Sequence, residues 1–167
     1  MVTIKLKVKR HAFSLIGKYT IFDEQGGQRW SAQGEVGARW NKFHVFDEKG
    51  EEKAFIWGEY PSIGPRFKIY CIKIGNQTYI VKSEGSTPLH IRFIVEGTDW
   101  TVLAGLGAVQ FDTTDSTGYV SQMKKGATGF DLYALKEDAE LLILCVALAV
   151  DGITQSKGGV GLQVFGG

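Results

Sequence analysis

The run Leu141-Leu-Ile-Leu-Cys-Val-Ala-Leu-Ala-Val150 restricts the fold more than any other stretch, because its ten apolar residues include no glycine, proline or charge. Periodicity cannot separate a helix from a buried strand where every position is apolar. Length and composition favour the helix. Leu and Ala are strong helix formers. Glu137, Asp138 and Glu140 sit where the positive end of a helix dipole would lie, and Gly152 sits where a C-terminal cap would fall. A helix that is apolar on all sides must be buried on all sides, in protein or in lipid. Ten residues rise only about 15 Å against a hydrocarbon core of about 30 Å, so no transmembrane span is expected. What is left is a helix sheathed by the rest of the chain.

That sheath reads as β-structure. The 167 residues are enough for one domain with a sizeable core. Glycine is abundant (22 residues) and proline scarce (3), which suits many short strands joined by tight turns. Charge is nearly balanced, 19 basic against 18 acidic residues, and gives no reason to expect a nucleic-acid partner. Cys71 and Cys145 lie far apart in apolar runs and read as reduced core residues, which fits a cytosolic protein. The opening Val2-Thr-Ile-Lys-Leu-Lys-Val-Lys9 alternates apolar and basic residues. It is therefore a strand rather than a signal peptide, with Val2, Ile4, Leu6 and Val8 on one face and Lys5, Lys7 and Lys9 on the other. A solvated face explains those lysines; contact with an anionic surface is the sharper alternative.

A repeat follows. Tyr19-Thr-Ile-Phe-Asp-Glu-Gln-Gly26 recurs 24 residues later as Phe43-His-Val-Phe-Asp-Glu-Lys-Gly50, with a weaker third copy from Phe67 and its turn at Gly75-Asn76. Each unit is an aromatic-rich strand, a hairpin turn and a returning strand. The returning strands are expected at 28–33, 52–58 and 77–82. Further strands are expected at 89–95, 100–103, 109–113, 119–124 and 130–135. The count reaches about twelve, all before the helix. The expected fold is therefore mainly β, a closed antiparallel barrel of about twelve strands around a central hydrophobic C-terminal helix. Closure removes the sheet edges, and the helix fills a lumen too wide for side chains alone. The barrel domain is placed at 1–153, followed by a Gly-rich tail at 154–167. The tail is expected to be disordered or to add a short edge strand at Leu162-Gln-Val-Phe165.

From about Arg10 to Ile153 the chain resembles the LURP-one-related proteins of the tubby C-terminal-like superfamily, which also includes phospholipid scramblases. The stretches that carry the resemblance are Phe13 to Gly26, Phe43 to Gly50, Pro65-Arg-Phe-Lys-Ile-Tyr70, Val81-Lys-Ser-Glu84, Val95-Glu-Gly97 and Leu144-Cys-Val-Ala-Leu-Ala-Val-Asp151. The resemblance implies a twelve-stranded barrel threaded by a hydrophobic C-terminal helix. It also implies work at membranes, since tubby proteins bind phosphoinositide head groups and scramblases act on phospholipids. The head-group residues of tubby proteins have no matching motif here, and the cysteine-rich and transmembrane features of scramblases are absent, so scrambling is not implied.

No catalytic or metal signature stands out. His11, His44 and His90 lack metal-ligand spacing. Gly26-Gly27-Gln28 reads as a turn. Gly105 and Gly107 precede no helix, and no nucleophile elbow or Cys/His pair occurs. Asp23-Glu24 and Asp47-Glu48 read as solvated turn carboxylates. Among the cations, Arg66 and Lys68 alternate on one strand and so share a face, and Lys82 and Arg92 fall on neighbouring strand candidates. These four are the expected contacts for an anionic group. Arg39 and Lys42 flank Trp40, and Lys124-Lys125 ends a strand. The expected function is a non-catalytic binding or scaffold domain of the LURP-one-related type that recognises anionic phospholipid head groups, with no cofactor and no metal. It would be cytoplasmic and peripheral at the membrane. The alternatives are a protein-interaction or regulatory module using Trp40 and Trp57, and an enzyme with an unrecognised site.

Overall fold

The computed structural model describes residues 3–11, 17–35, 42–59, 69–84, 91–104 and 107–166, with 154–166 described by backbone alone. The strands are β1 (Ile4–Arg10), β2 (Lys18–Phe22), β3 (Gln28–Gly34), β4 (Lys42–Asp47), β5 (Glu52–Glu59), β6 (Ile69–Ile74), β7 (Gln77–Ser83), β8 (Ile91–Glu96), β9 (Trp100–Ala104), β10 (Gln110–Asp115), β11 (Gly118–Lys125) and β12 (Gly129–Ala134). A 3-10 turn (Glu137–Ala139) leads into one helix, α1 (Glu140–Gly166). The twelve strands form a closed barrel in which each strand pairs antiparallel with its neighbours in sequence, and β1 pairs with β12 to close it. This is the expected architecture.

Alternation along the strands makes the barrel. On β1, Leu6 and Val8 point inward and are buried, while Lys5, Lys7 and Lys9 are exposed. The inner wall continues through residues such as Ile21, Val45, Ile56, Ile72 and Val81, all at most 1% exposed. Inside this wall runs α1. Ile143–Asp151 are buried without interruption over more than two turns, so the helix has no solvent face and the apolar run meets protein on every side. It passes closest to β6, with β5 and β7 on one side and β11 and β12 on the other.

The repeat is structural. Asp23 Oδ1 accepts the backbone N–H groups of Gln25 and Gly27 at 3.0 and 2.9 Å. Asp47 Oδ1 accepts those of Lys49 and Glu51 at 2.9 and 3.0 Å. Gly26 and Gly50 take φ of 84° and 80°, a left-handed conformation that glycine adopts without strain. Both hairpins also carry a register shift at the same place, after Ile21 and after Val45. The backbone N–H groups hold the Asp47 carboxyl below its ordinary range, Glu51's most of all, which accounts for these acids as turn formers. The first two residues of the weaker third copy, Phe67 and Lys68, lie outside the described residues.

The helix does not stop at Gly152. Its backbone continues to Gly166, so 154–166 is helical rather than an edge strand or a disordered tail. Gly152 answers to packing instead of capping. A Cβ there would lie 3.0 Å from Tyr70 Oη and 3.2 Å from Tyr70 Cζ, so the missing side chain lets the helix approach β6.

Two acids tie α1 to the wall. Glu140 takes a bidentate pair from Arg29 on β3, Nε at 2.6 Å and Nη2 at 2.7 Å, and a hydrogen bond from Trp30 Nε1 at 2.6 Å. At the other end Asp151 is fully buried. It accepts from Arg10 Nη2 at 3.1 and 3.2 Å and from Tyr19 Oη at 2.9 Å, and it pairs with Lys125 Nζ at 3.0 Å. Burial and then the Asp151 carboxylate push the Tyr19 hydroxyl pKa far up, so Tyr19 remains a donor. Cys71 and Cys145 are free thiols, both buried, and burial raises the pKa of each.

Candidate functional site

The lumen is full. A void of about 10 Å³ lies between α1 and the inner wall, lined by residues such as Val102, Phe111, Val146 and Val150. That holds at most about one water. The larger clefts among the described residues lie on the outer wall.

On that wall a cleft of about 450 Å³ lies across β1, β12 and β11, lined by Lys7, Lys9, Lys124, Lys125, Phe22 and Asp131 among others. Strand register explains why its cations converge. Lys7 stands opposite Asp131, and Asp131 stands opposite Lys124, so the three share one outward-facing row. Phe22 on β2 extends the row beyond Lys7. Lys9 stands opposite Gly129, where a Cβ would fall 1.9 Å from the Val8 carbonyl oxygen, so β1 and β12 come together closely at the cleft floor. Lys7, Lys9 and Lys124 are exposed and form no ion pair among the described residues. Lys125 is half-buried and tied to Asp151, which links the cleft floor to α1. Next along the row of Lys5, the Tyr133 ring takes the Lys5 and Lys124 ammonium groups at 5.6 and 5.8 Å from its centroid. A second groove of about 380 Å³, lined by Lys5, Lys7, Asp23 and Glu24, has balanced charge.

The lining of the basic cleft includes one carboxylate, Asp131, and no histidine or cysteine. Three ammonium groups from two strands, Lys7 and Lys9 on β1 and Lys124 on β11, either side of β12, can take the place of water around an anion, with Phe22 beside them as an apolar edge. Lys7, Lys9 and the Lys124-Lys125 pair are each visible in sequence. Their convergence follows only from barrel closure, which sets the first strand beside the last.

Of the four expected contacts, Arg66 and Lys68 lie outside the described residues. Lys82 and Arg92 lie on the outer face of β7 and β8, two rungs apart, on a different arc of the barrel from the cleft. Lys82 is paired with Glu96, whose hydrogen bond raises the lysine's pKa. Trp40 and His90 also lie outside the described residues. Trp57 is half-buried and stacks on Phe55 at 5.3 Å, and Phe55 stacks on His44 at 4.7 Å. His44 bridges Glu35, at 2.8 Å, and Glu52. Burial lowers its pKa, but the two hydrogen bonds prevail and raise it above the ordinary 6.5. His11 bonds Thr20 Oγ1 at 2.6 Å. Among the described residues no group of three or more His, Cys, Asp or Glu could hold a metal, and no helix is long and apolar enough to cross a membrane.

No protein-family model matches the chain, and no curated protein matches it. Among solved structures, the chain is similar to the X-ray structure of a protein from Arabidopsis thaliana, at 13% identity, with 86% of this chain and 89% of that chain covered and a TM-score of 0.41.

Proposed function

We propose that this chain is a non-catalytic binding domain of the LURP-one-related, tubby C-terminal-like type, and that it takes anionic phospholipid head groups in the β1–β12–β11 cleft. One observation carries the reading: Lys7, Lys9 and Lys124 project into one cleft, form no ion pair among the described residues, and outnumber its one carboxylate, Asp131. Each basic residue near an anionic membrane contributes about 1 kcal/mol, an attraction that salt screens. Co-sedimentation with phosphatidylcholine vesicles, with and without phosphatidylserine, at low and moderate salt tests it. Salt-sensitive binding to the anionic vesicles alone, lost in K7E/K9E/K124E, is the expected result. Binding unaffected by that variant and abolished by R66E/K68E/K82E/R92E would move the site to the four cations singled out in the sequence.

A second reading rests on the outward stack His44–Phe55–Trp57, which suits a protein partner. Vesicle binding that is absent at low salt would favour it.

A further inference from the structure

Asp131 lies in the middle of the basic cleft, where attraction of an anion has no use for a carboxylate. It sits on the outward face of β12 and stands opposite Lys7 on β1 and opposite Lys124 on β11. Neighbouring strands lie about 4.8 Å apart, so the row runs cation, anion, cation over about 10 Å.

Folding gives this carboxylate no task. The other half-buried aspartates, Asp23, Asp47, Asp112 and Asp115, each accept at least one hydrogen bond. Asp131 is equally half-buried, and its side chain forms no hydrogen bond and no ion pair among the described residues. A carboxylate placed only to relieve repulsion between Lys7 and Lys124 would pair with one of them. Asp131 instead stands between the two with its acceptor oxygens open to the cleft.

We propose that the Lys7–Asp131–Lys124 row, with Lys9, selects a phosphate that carries a zwitterionic amino acid, the head group of phosphatidylserine. This rests on the lipid-binding reading above and names the head group. Phosphoserine presents a phosphodiester and a carboxylate on either side of an ammonium, which is the complement of the row. The phosphodiester meets Lys7 and Lys9 beside Phe22, where the glycerol and acyl chains leave along an apolar edge. The ammonium donates to Asp131, and the carboxylate meets Lys124. Phosphatidylglycerol has the same net charge but offers Asp131 only neutral hydroxyl donors and offers Lys124 no carboxylate. Charge-assisted hydrogen bonds are about twice as strong as neutral ones. The lysines thus draw both lipids, and Asp131 separates them.

The test compares phosphatidylcholine vesicles holding equal fractions of phosphatidylserine or phosphatidylglycerol, so that bulk attraction cancels. The full wild-type chain should bind the phosphatidylserine vesicles about fivefold more tightly, the equivalent of about 1 kcal/mol, the upper end for an exposed ion pair. In Asp131→Asn that ratio should fall toward one, chiefly because binding to phosphatidylglycerol rises, while the melting temperature stays that of wild type. Free O-phospho-L-serine, titrated by calorimetry, separates a lipid from a soluble source of the same group. Equal wild-type affinity for the two vesicles, or an unchanged ratio in Asp131→Asn, overturns the head-group assignment and leaves anionic-lipid binding standing. Saturable O-phospho-L-serine binding that Asp131→Asn abolishes, with no vesicle binding at low salt, overturns the lipid source and assigns the row to a free phosphoamino acid. Failure to bind either vesicle or O-phospho-L-serine overturns both readings.

Discussion

Replacing Asp151 with Asn tests what holds α1 in the barrel. The substitution keeps the size of the side chain and removes its charge. Asp151 is fully buried and meets Arg10, Lys125 and Tyr19. Without it two cations face each other beside an apolar lumen. Removing one partner of a buried ion pair costs about 3–5 kcal/mol. The Arg10 and Lys125 side chains keep 19% and 17% of their exposure and can turn partly to water, which lowers the expected loss to about 2–4 kcal/mol. For a chain of this size each kcal/mol shifts the melting temperature by about 2–4 °C, so D151N should melt about 5–15 °C below wild type. Circular dichroism melts measure this directly. Y19F, which removes one neutral donor, should cost only about 1 kcal/mol. A D151N protein that melts with wild type, or one less damaged than Y19F, refutes the view that this carboxylate anchors the helix.

Leu144 is fully buried on the helix axis, so L144A should cost about 2–5 kcal/mol, and L144D should leave no cooperatively melting protein; a soluble L144D with a sharp melt would count against the central helix. His44 gives a pH dependence with a definite sign. Its folded-state pKa is raised above 6.5, so its contribution is complete below pH 6.5 and is lost as pH rises through the raised value. The melting-temperature difference between wild type and H44Q should accordingly be largest in mild acid and fade across that window; a difference that grows with pH contradicts the Glu35–His44–Glu52 bridge. G152A should cost about 1–3 kcal/mol by forcing a methyl against Tyr70, and Y70F, which removes the atom 3.0 Å away, should recover part of the loss in the double variant.

The parts of the fold legible in sequence are those fixed by near neighbours. The Asp-Glu-x-Gly turns are closed by hydrogen bonds spanning two to four residues, so their composition suffices to place two hairpins. Alternation on β1 likewise told inside from outside. What stayed hidden depends on distant partners. Gly152 looks like a cap until Tyr70 on β6 is beside it. Glu140 looks like a dipole complement until Arg29 meets it across 111 residues, and nothing local to Asp151 shows that Arg10 meets it across 141. The cleft belongs to the same class. No local pattern sets Lys7 beside Lys124; closure through β12 does.

Glu140 and Asp151 also solve a problem that the apolar run creates. An apolar helix in an apolar lumen could slide or rotate by a turn at little cost, since one buried aliphatic residue replaces another. The two acids are eleven residues apart, about three turns, and so lie near one helix face, separated by about 16 Å. Their partners sit on one continuous arc of wall, Arg29 and Trp30 on β3, Tyr19 on β2, Arg10 on β1 and Lys125 on β11. One face, pinned at two heights to one arc, fixes both translation and rotation. Any other register would bury at least one carboxylate without its cation, which is the role in conformational specificity best attested for buried ion pairs. The basic cleft lies on this same arc, and Lys125 belongs to both the pin and the cleft floor. The wall that holds the helix in place is thereby the wall that presents the cations.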